Sequence, residues 1–201
     1  MRMNVYISSD YSEDNGDRDV VEILNKWGSD EVHKVNFIDM AKVASGSVSQ
    51  DSDCRPCELK QEFNQQINKS SAVIFVIGDK TSSRTAGSTC SRYENDQYLC
   101  PCTPYKQNAN GSKKCKVKST IPARENVGNI NNYSYLQHEF EQAKKKEKKI
   151  IIFYNSSRKE RSWLPSYMDG YQELAEPFWI YDDKGNKFGN YRHLKSELGV
   201  E

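Results

Sequence analysis

SYLQHEFEQAKKKEKKIIIFY, Ser134 to Tyr154, is the stretch whose reading decides the fold. It reads as a helix running directly into a buried strand. Ser134 followed three residues later by Gln137 is a capping box, in which two side chains satisfy amide donors that a helix start leaves without partners. Leu136, Phe140 and Ala143 recur at i, i+4 and i+7 and form one apolar stripe, and the lysines between Lys144 and Lys149 fall where a helix C-terminus favours positive charge. Ile150, Ile151, Ile152 and Phe153 follow without alternation, the pattern of a strand covered on both faces. At roughly 100° per residue, Glu139 lies about 60° round the helix from the stripe. Its carboxylate is therefore expected at the rim between core and solvent, with Tyr135 one turn before it. His138, about 100° from Glu139, reads as a neighbour on the exposed face.

Composition narrows the function classes. A chain of 201 residues suffices for one well-buried domain with an insertion, and we read a single domain over 1–201. Hydrophobic residues make up 36% and the mean hydropathy is −0.87, so the core has to be carried by a few strong segments. The net charge of +1 offers no global field for nucleic acid or an anionic membrane, and no run approaches the ~20 apolar residues of a membrane span. The N-terminus enters a strand-like run without a signal-peptide core, so the expected setting is the cytoplasm.

Outward from the deciding stretch, strands and helices alternate. Asn4 to Ser8 is a short β-rich run that ends in a polar turn, Ser9 to Gly16. Val20, Val21, Leu24 and Trp27 then recur at helical spacing, with Gly28 just past the expected helix end. Val35 to Ile38 is a second strand ending at Asp39, and Leu59, Phe63 and Ile67 mark a helix four residues apart. Ala72 to Gly78 is the central strand. Residues 81–132 show little periodicity and are read as an insertion, or lid, before the Glu139 helix. Pro177 to Tyr181 is expected as the fifth strand, and Tyr191 to Leu198 as a closing helix. This order predicts an α/β fold, a five-stranded parallel sheet with helices on both faces. Ligands of such sheets bind beyond the carboxyl ends of the strands, at the topological switch point. Those ends supply Ser8, Ser9, Asp10, Tyr11 and Asp39, and the Glu139 helix starts at the same edge. There is no Gly-rich phosphate loop of either the Walker or the dinucleotide-binding type.

Three blocks carry a resemblance: Val5-Tyr6-Ile7-Ser8 through Tyr11; Val76-Ile77-Gly78-Asp79-Lys80-Thr81; and Tyr135-Leu136-Gln137-His138-Glu139-Phe140 ahead of Lys148-Lys149-Ile150-Ile151. In order and spacing they resemble the TIR-like domains of the bacterial Thoeris antiphage system. There the third strand ends in a Gly-x-x-Thr segment and the catalytic helix carries Trp-Val-x-x-Glu-Ile. Tyr135 stands at the Trp, Leu136 at the Val and Glu139 at the glutamate, while the segment from Thr85 to Asn132 has no counterpart. The resemblance implies a flavodoxin-like TIR fold and a hydrolase that cleaves the nicotinamide glycosidic bond of NAD, with NAD as substrate and no cofactor. Glu139 would be the essential carboxylate, and Ser8, Ser9, Asp10, Tyr11, Asp39 and Tyr135 would shape the substrate site. The product would be a cyclic or conjugated ADP-ribose signal that activates an effector, with self-association or a phage protein as trigger. The competing classes are a non-catalytic TIR-like assembly module and a nucleoside-processing hydrolase or transferase of related fold.

Cys54 and Cys57 have a zinc-like C-x-x-C spacing, and Cys90, Cys100, Cys102 and Cys115 are the further thiols. No second C-x-x-C exists, and Pro101 makes the Cys100/Cys102 pair awkward for one tetrahedral ion, so the reading is no metal.

Overall fold

The computed structural model describes residues 2–10, 16–30, 35–39, 55–84, 105–107, 113–115 and 134–200, with backbone only for 55–58, 61, 105–107 and 113–115. Five parallel strands form one sheet: β1 (Met3–Ser8), β2 (Val35–Asp39), β3 (Ala72–Ile77), β6 (Lys149–Tyr154) and β7 (Ala175–Pro177), in the order β2-β1-β3-β6-β7. This is the doubly wound, flavodoxin-like order. The chain runs outward from β1 to β2, then crosses back past β1 to build β3, β6 and β7, so the switch point lies between the carboxyl ends of β1 and β3.

The helices divide between the two faces as strand patterning dictates. Val5 and Ile7 of β1, Ile74 and Val76 of β3 and Phe153 of β6 meet Val20, Val21 and Leu24 of α1 (Asp17–Ser29) and Leu194 and Leu198 of α4 (Tyr191–Leu198). Their neighbours Tyr6, Phe75, Ile77 and Ile152 point the other way. They meet Phe63 and Ile67 of α2 (Arg55–Lys69) and Leu136, Phe140 and Ala143 of α3 (Tyr135–Lys145). Because both faces are covered, all six residues of β3 are buried, and its sequence runs apolar throughout.

α3 and β6 follow the sequence reading closely. Ser134 Oγ accepts from the Gln137 amide N–H at 2.9 Å, which fixes the first turn. After the last turn Glu147 takes φ 51°, the left-handed conformation that lets the Lys148 N–H reach the Ala143 carbonyl and redirects the chain into β6. Lys148 Nζ then donates to the carbonyls of Asn68 and Ser70, tying the start of β6 to the end of α2.

Two boundaries differ from expectation. The fifth strand of the sheet is Ala175–Pro177, not Pro177 to Tyr181: Ile152, Phe153 and Tyr154 pair with Ala175, Glu176 and Pro177. Trp179–Tyr181 (β8) instead pairs antiparallel with Lys187–Gly189 (β9), because Phe178 and Trp179 turn into the α1 face of the core. Gly28 lies inside α1 and not past its end. A Cβ there would meet the Phe37 ring at 2.8 Å, so the glycine serves close helix-to-strand packing. In the insertion, Tyr105–Gln107 (β4) and Lys113–Cys115 (β5) form an antiparallel ribbon. The reading of the six cysteines falls outside the described residues: Cys54, Cys90, Cys100 and Cys102 wholly, Cys57 and Cys115 in their side chains. Among the described residues no helix is long and apolar enough to cross a membrane.

Candidate active site

Period-two alternation puts Tyr6 and Ser8 on the α3 face of β1, and their hydroxyls converge on Glu139 of α3. Tyr6 Oη donates to Oε1 at 2.6 Å, and Ser8 Oγ bonds Oε2. Glu139 is only 4% exposed, so it does not stand at the rim as expected. A helical wheel gives direction but not depth. Here α3 packs so close to β1 that the rim direction leads into the sheet. Burial pushes the Glu139 carboxyl up to about 8; the hydroxyls of Ser8 and Tyr6 hold it down, and the charge of Asp10 adds to the rise. Near neutral pH the carboxyl is therefore mostly protonated, and one of its oxygens donates where the ionised form would accept.

Asp10 belongs to the loop after β1. Its side chain is 16% exposed, and among the described residues its carboxylate oxygen Oδ2 takes no hydrogen bond. Burial raises it to about 6, against the opposing pull of Arg84, whose Nε lies 3.9 Å away. Arg84 follows the short turn Thr81–Ser83 after β3, so this loose ion pair joins the two strands that flank the switch point. The Gly78-x-x-Thr81 segment builds that turn: the Gly78 N–H donates to Thr81 Oγ1 at 2.9 Å. Gly78 is required by crowding, since a Cβ would lie 2.6 Å from the buried Asp17 carboxylate. From the chain after β6, the Tyr167 phenol faces the same acids; burial pushes its proton affinity well above that of an ordinary phenol.

Of the residues expected from sequence, the structure brings Ser8, Asp10 and Glu139 together. Ser9, between the first two, has a buried hydroxyl with no hydrogen-bond partner among the described residues. Asp39 is turned to the opposite face, where its Oδ2 accepts from Asn25 of α1 at 2.9 Å; it shares the parity of Val35 and Phe37. Tyr135 packs edge-on against Phe63 of α2, with ring centroids 5.6 Å apart, and the aromatic groups beside Glu139 are Tyr6 and Tyr167. Tyr11 lies outside the described residues.

His138 is not on an exposed face. It is 1% exposed, turned to α2, with Nε2 2.9 Å from Asn64 Oδ1. Burial first, then the charge of Lys60, lowers it to about 3, so it stays neutral and serves as a cross-link between α2 and α3. Tyr6, Arg84 and Tyr167 were missed. Tyr6 was recoverable, because it shares the parity of Ser8 on β1, whereas nothing local marks Arg84 or Tyr167. Among the described residues no group of three His, Cys, Asp or Glu side chains could hold a metal ion. A cavity of about 410 Å³ lies at the opposite, amino end of β6, and its charged lining is largely paired, as in Lys149 Nζ with Glu197 at 2.7 Å.

Fold and site together define a doubly wound α/β protein with one buried carboxyl and one mostly buried carboxyl at its switch point. No protein-family model matches the chain, and no curated protein matches it.

Proposed function

We propose that this protein cleaves the nicotinamide glycosidic bond of NAD in the manner of the TIR-like domains it resembles. The observation that carries the reading is Glu139, bonded to Tyr6 and Ser8 over the carboxyl end of β1, with Asp10 alongside at the switch point. In the reaction the bond from ribose C1′ to the nicotinamide nitrogen breaks, and its electron pair neutralises the departing pyridinium. The ribosyl cation left behind is captured by water, which releases a proton, or by a nucleophile within the same molecule, which closes a cyclic ADP-ribose. Acidic and hydroxyl groups lining C1′ stabilise the cation and orient the ribose hydroxyls. The product then acts as a cytoplasmic signal for an effector of antiphage defence, with self-association or a phage protein as the trigger.

The test is nicotinamide release from NAD by wild type and by Glu139→Ala, at high protein concentration and with phage-infected lysate added. Loss of the side chain is expected to lower the rate on the order of 100-fold. The sealed position of Glu139 favours a second reading, a non-catalytic assembly module in which the carboxyl only fastens α3 to β1. Wild type that releases no nicotinamide under any of these conditions, yet associates with itself, would replace the first reading with the second.

A further inference from the structure

We propose that the two acids of this site divide the work, Asp10 bearing the negative charge that faces the substrate and Glu139 acting beside it as a neutral hydrogen-bond donor. The proposal rests on the NAD-cleaving reading and deepens it. Glu139 is enclosed by hydroxyls: Tyr6 and Ser8 of β1 bond its two oxygens, and Tyr167 faces it from the chain after β6. Its helix neighbour His138 turns away to Lys60 and Asn64 of α2. Among the described residues no cation pairs with it, and a charge sealed among hydroxyls alone is costly.

Asp10 has the opposite setting. It lies one alternation beyond Ser8, has a side chain that is 16% exposed, and has the Arg84 guanidinium across from it. Among the described residues no donor bonds its Oδ2, which leaves that oxygen to accept from a ribose hydroxyl or to stabilise a developing ribosyl cation. A neutral Glu139 must donate its proton to one of its two hydroxyl partners. The hydroxyl that receives it can aim its own hydrogen elsewhere, and Ser8, between Glu139 and Asp10 on one face of the chain, can aim it toward Asp10. Burial raises both acids, and Arg84 offsets part of the rise at Asp10 only. Asp10 therefore ionises near 6 while Glu139 holds its proton to about 8, the separation by environment that assigns acid and base roles to paired carboxyls.

The experiment is the pH dependence of kcat/KM for NAD in wild type, Glu139→Gln and Asp10→Asn, each first shown to be folded by circular dichroism. Wild type is expected to give a bell with limbs near 6 and near 8. Glu139→Gln should lose the alkaline limb. Asp10→Asn should lose the acid limb and fall on the order of 100-fold. An alkaline limb that persists in Glu139→Gln, or an acid limb that persists in Asp10→Asn, overturns the division. A second readout needs no turnover: the infrared band of a protonated carboxyl, present in wild type near neutral pH and missing from Glu139→Gln. Absence of that band from wild type overturns the proposal whatever the enzyme does. A wild type that shows the band and releases no nicotinamide removes the NAD reading and leaves Glu139 assigned as neutral.

Discussion

Replacing Glu139 by Gln should make the protein more resistant to alkaline unfolding. In the folded chain the carboxyl is pushed from the ordinary 4.5 up to about 8, chiefly because burial strips the water from around it. Between those values the native state keeps a proton that the unfolded chain has released. The unfolded state binds fewer protons there, so stability falls as pH rises. At 1.36 kcal/mol per pKa unit, the full loss above about pH 8 is on the order of 5 kcal/mol, and roughly 3 kcal/mol of it is already incurred at neutral pH. Against a total stability of about 5–15 kcal/mol for a domain, that is a large fraction. Gln keeps the shape and the hydrogen bonds to Tyr6 and Ser8 but has no proton to lose, so its stability should lack this slope. Urea unfolding of both proteins, followed by circular dichroism from about pH 4 to about pH 9, measures the difference. The curves should start close together and separate by several kcal/mol at the alkaline end. Asp10, raised from 3.8 to about 6, adds a smaller fall at lower pH that both proteins share. Parallel curves across the range would show that Glu139 is not a buried neutral acid.

Ser134→Ala removes the oxygen that accepts from the Gln137 N–H and should cost about 1 kcal/mol in urea unfolding. Gly78→Ala drives a Cβ to 2.6 Å from a buried carboxylate that Asn155 also holds, and should cost about 1–3 kcal/mol, read as a lowered melting temperature. Glu147→Gly relieves a left-handed residue at the end of α3 and should raise stability by up to about 1 kcal/mol by the same measurement.

The sheet was legible because its strands are covered on both faces, and continuous apolar runs such as Ala72 to Ile77 have few other uses in a chain this polar. The edge was harder. Phe178, Trp179, Ile180 and Tyr181 outweigh Ala175 to Pro177 in strand propensity, yet Phe178 and Trp179 fill the α1 face and the poorer segment pairs with β6, because three residues suffice at an edge. At the site, Ser8, Asp10 and Glu139 could be found from strand ends and a helix start. Asp39 was lost to parity, since an end residue on the same alternation as Val35 and Phe37 faces α1. The depth of Glu139 and His138 depends on how closely α3 approaches β1 and α2, a tertiary distance that helical periodicity does not carry.

The pairing of β3 with β6 has a bearing on how the molecule forms. Ile77 and Lys149 end and begin neighbouring strands at the centre of the sheet, with about 70 residues between them. Closing a loop of that length instead of an ordinary crossover of 15 to 20 residues adds only about 1 kcal/mol, because each doubling costs about 0.6. Folding speed responds more steeply, since contacts so distant in sequence must be found before the sheet repays them. By this closure cost alone, lengthening or shortening the chain between β3 and β6 changes equilibrium stability little. A shortened version should differ from the full chain chiefly in refolding faster.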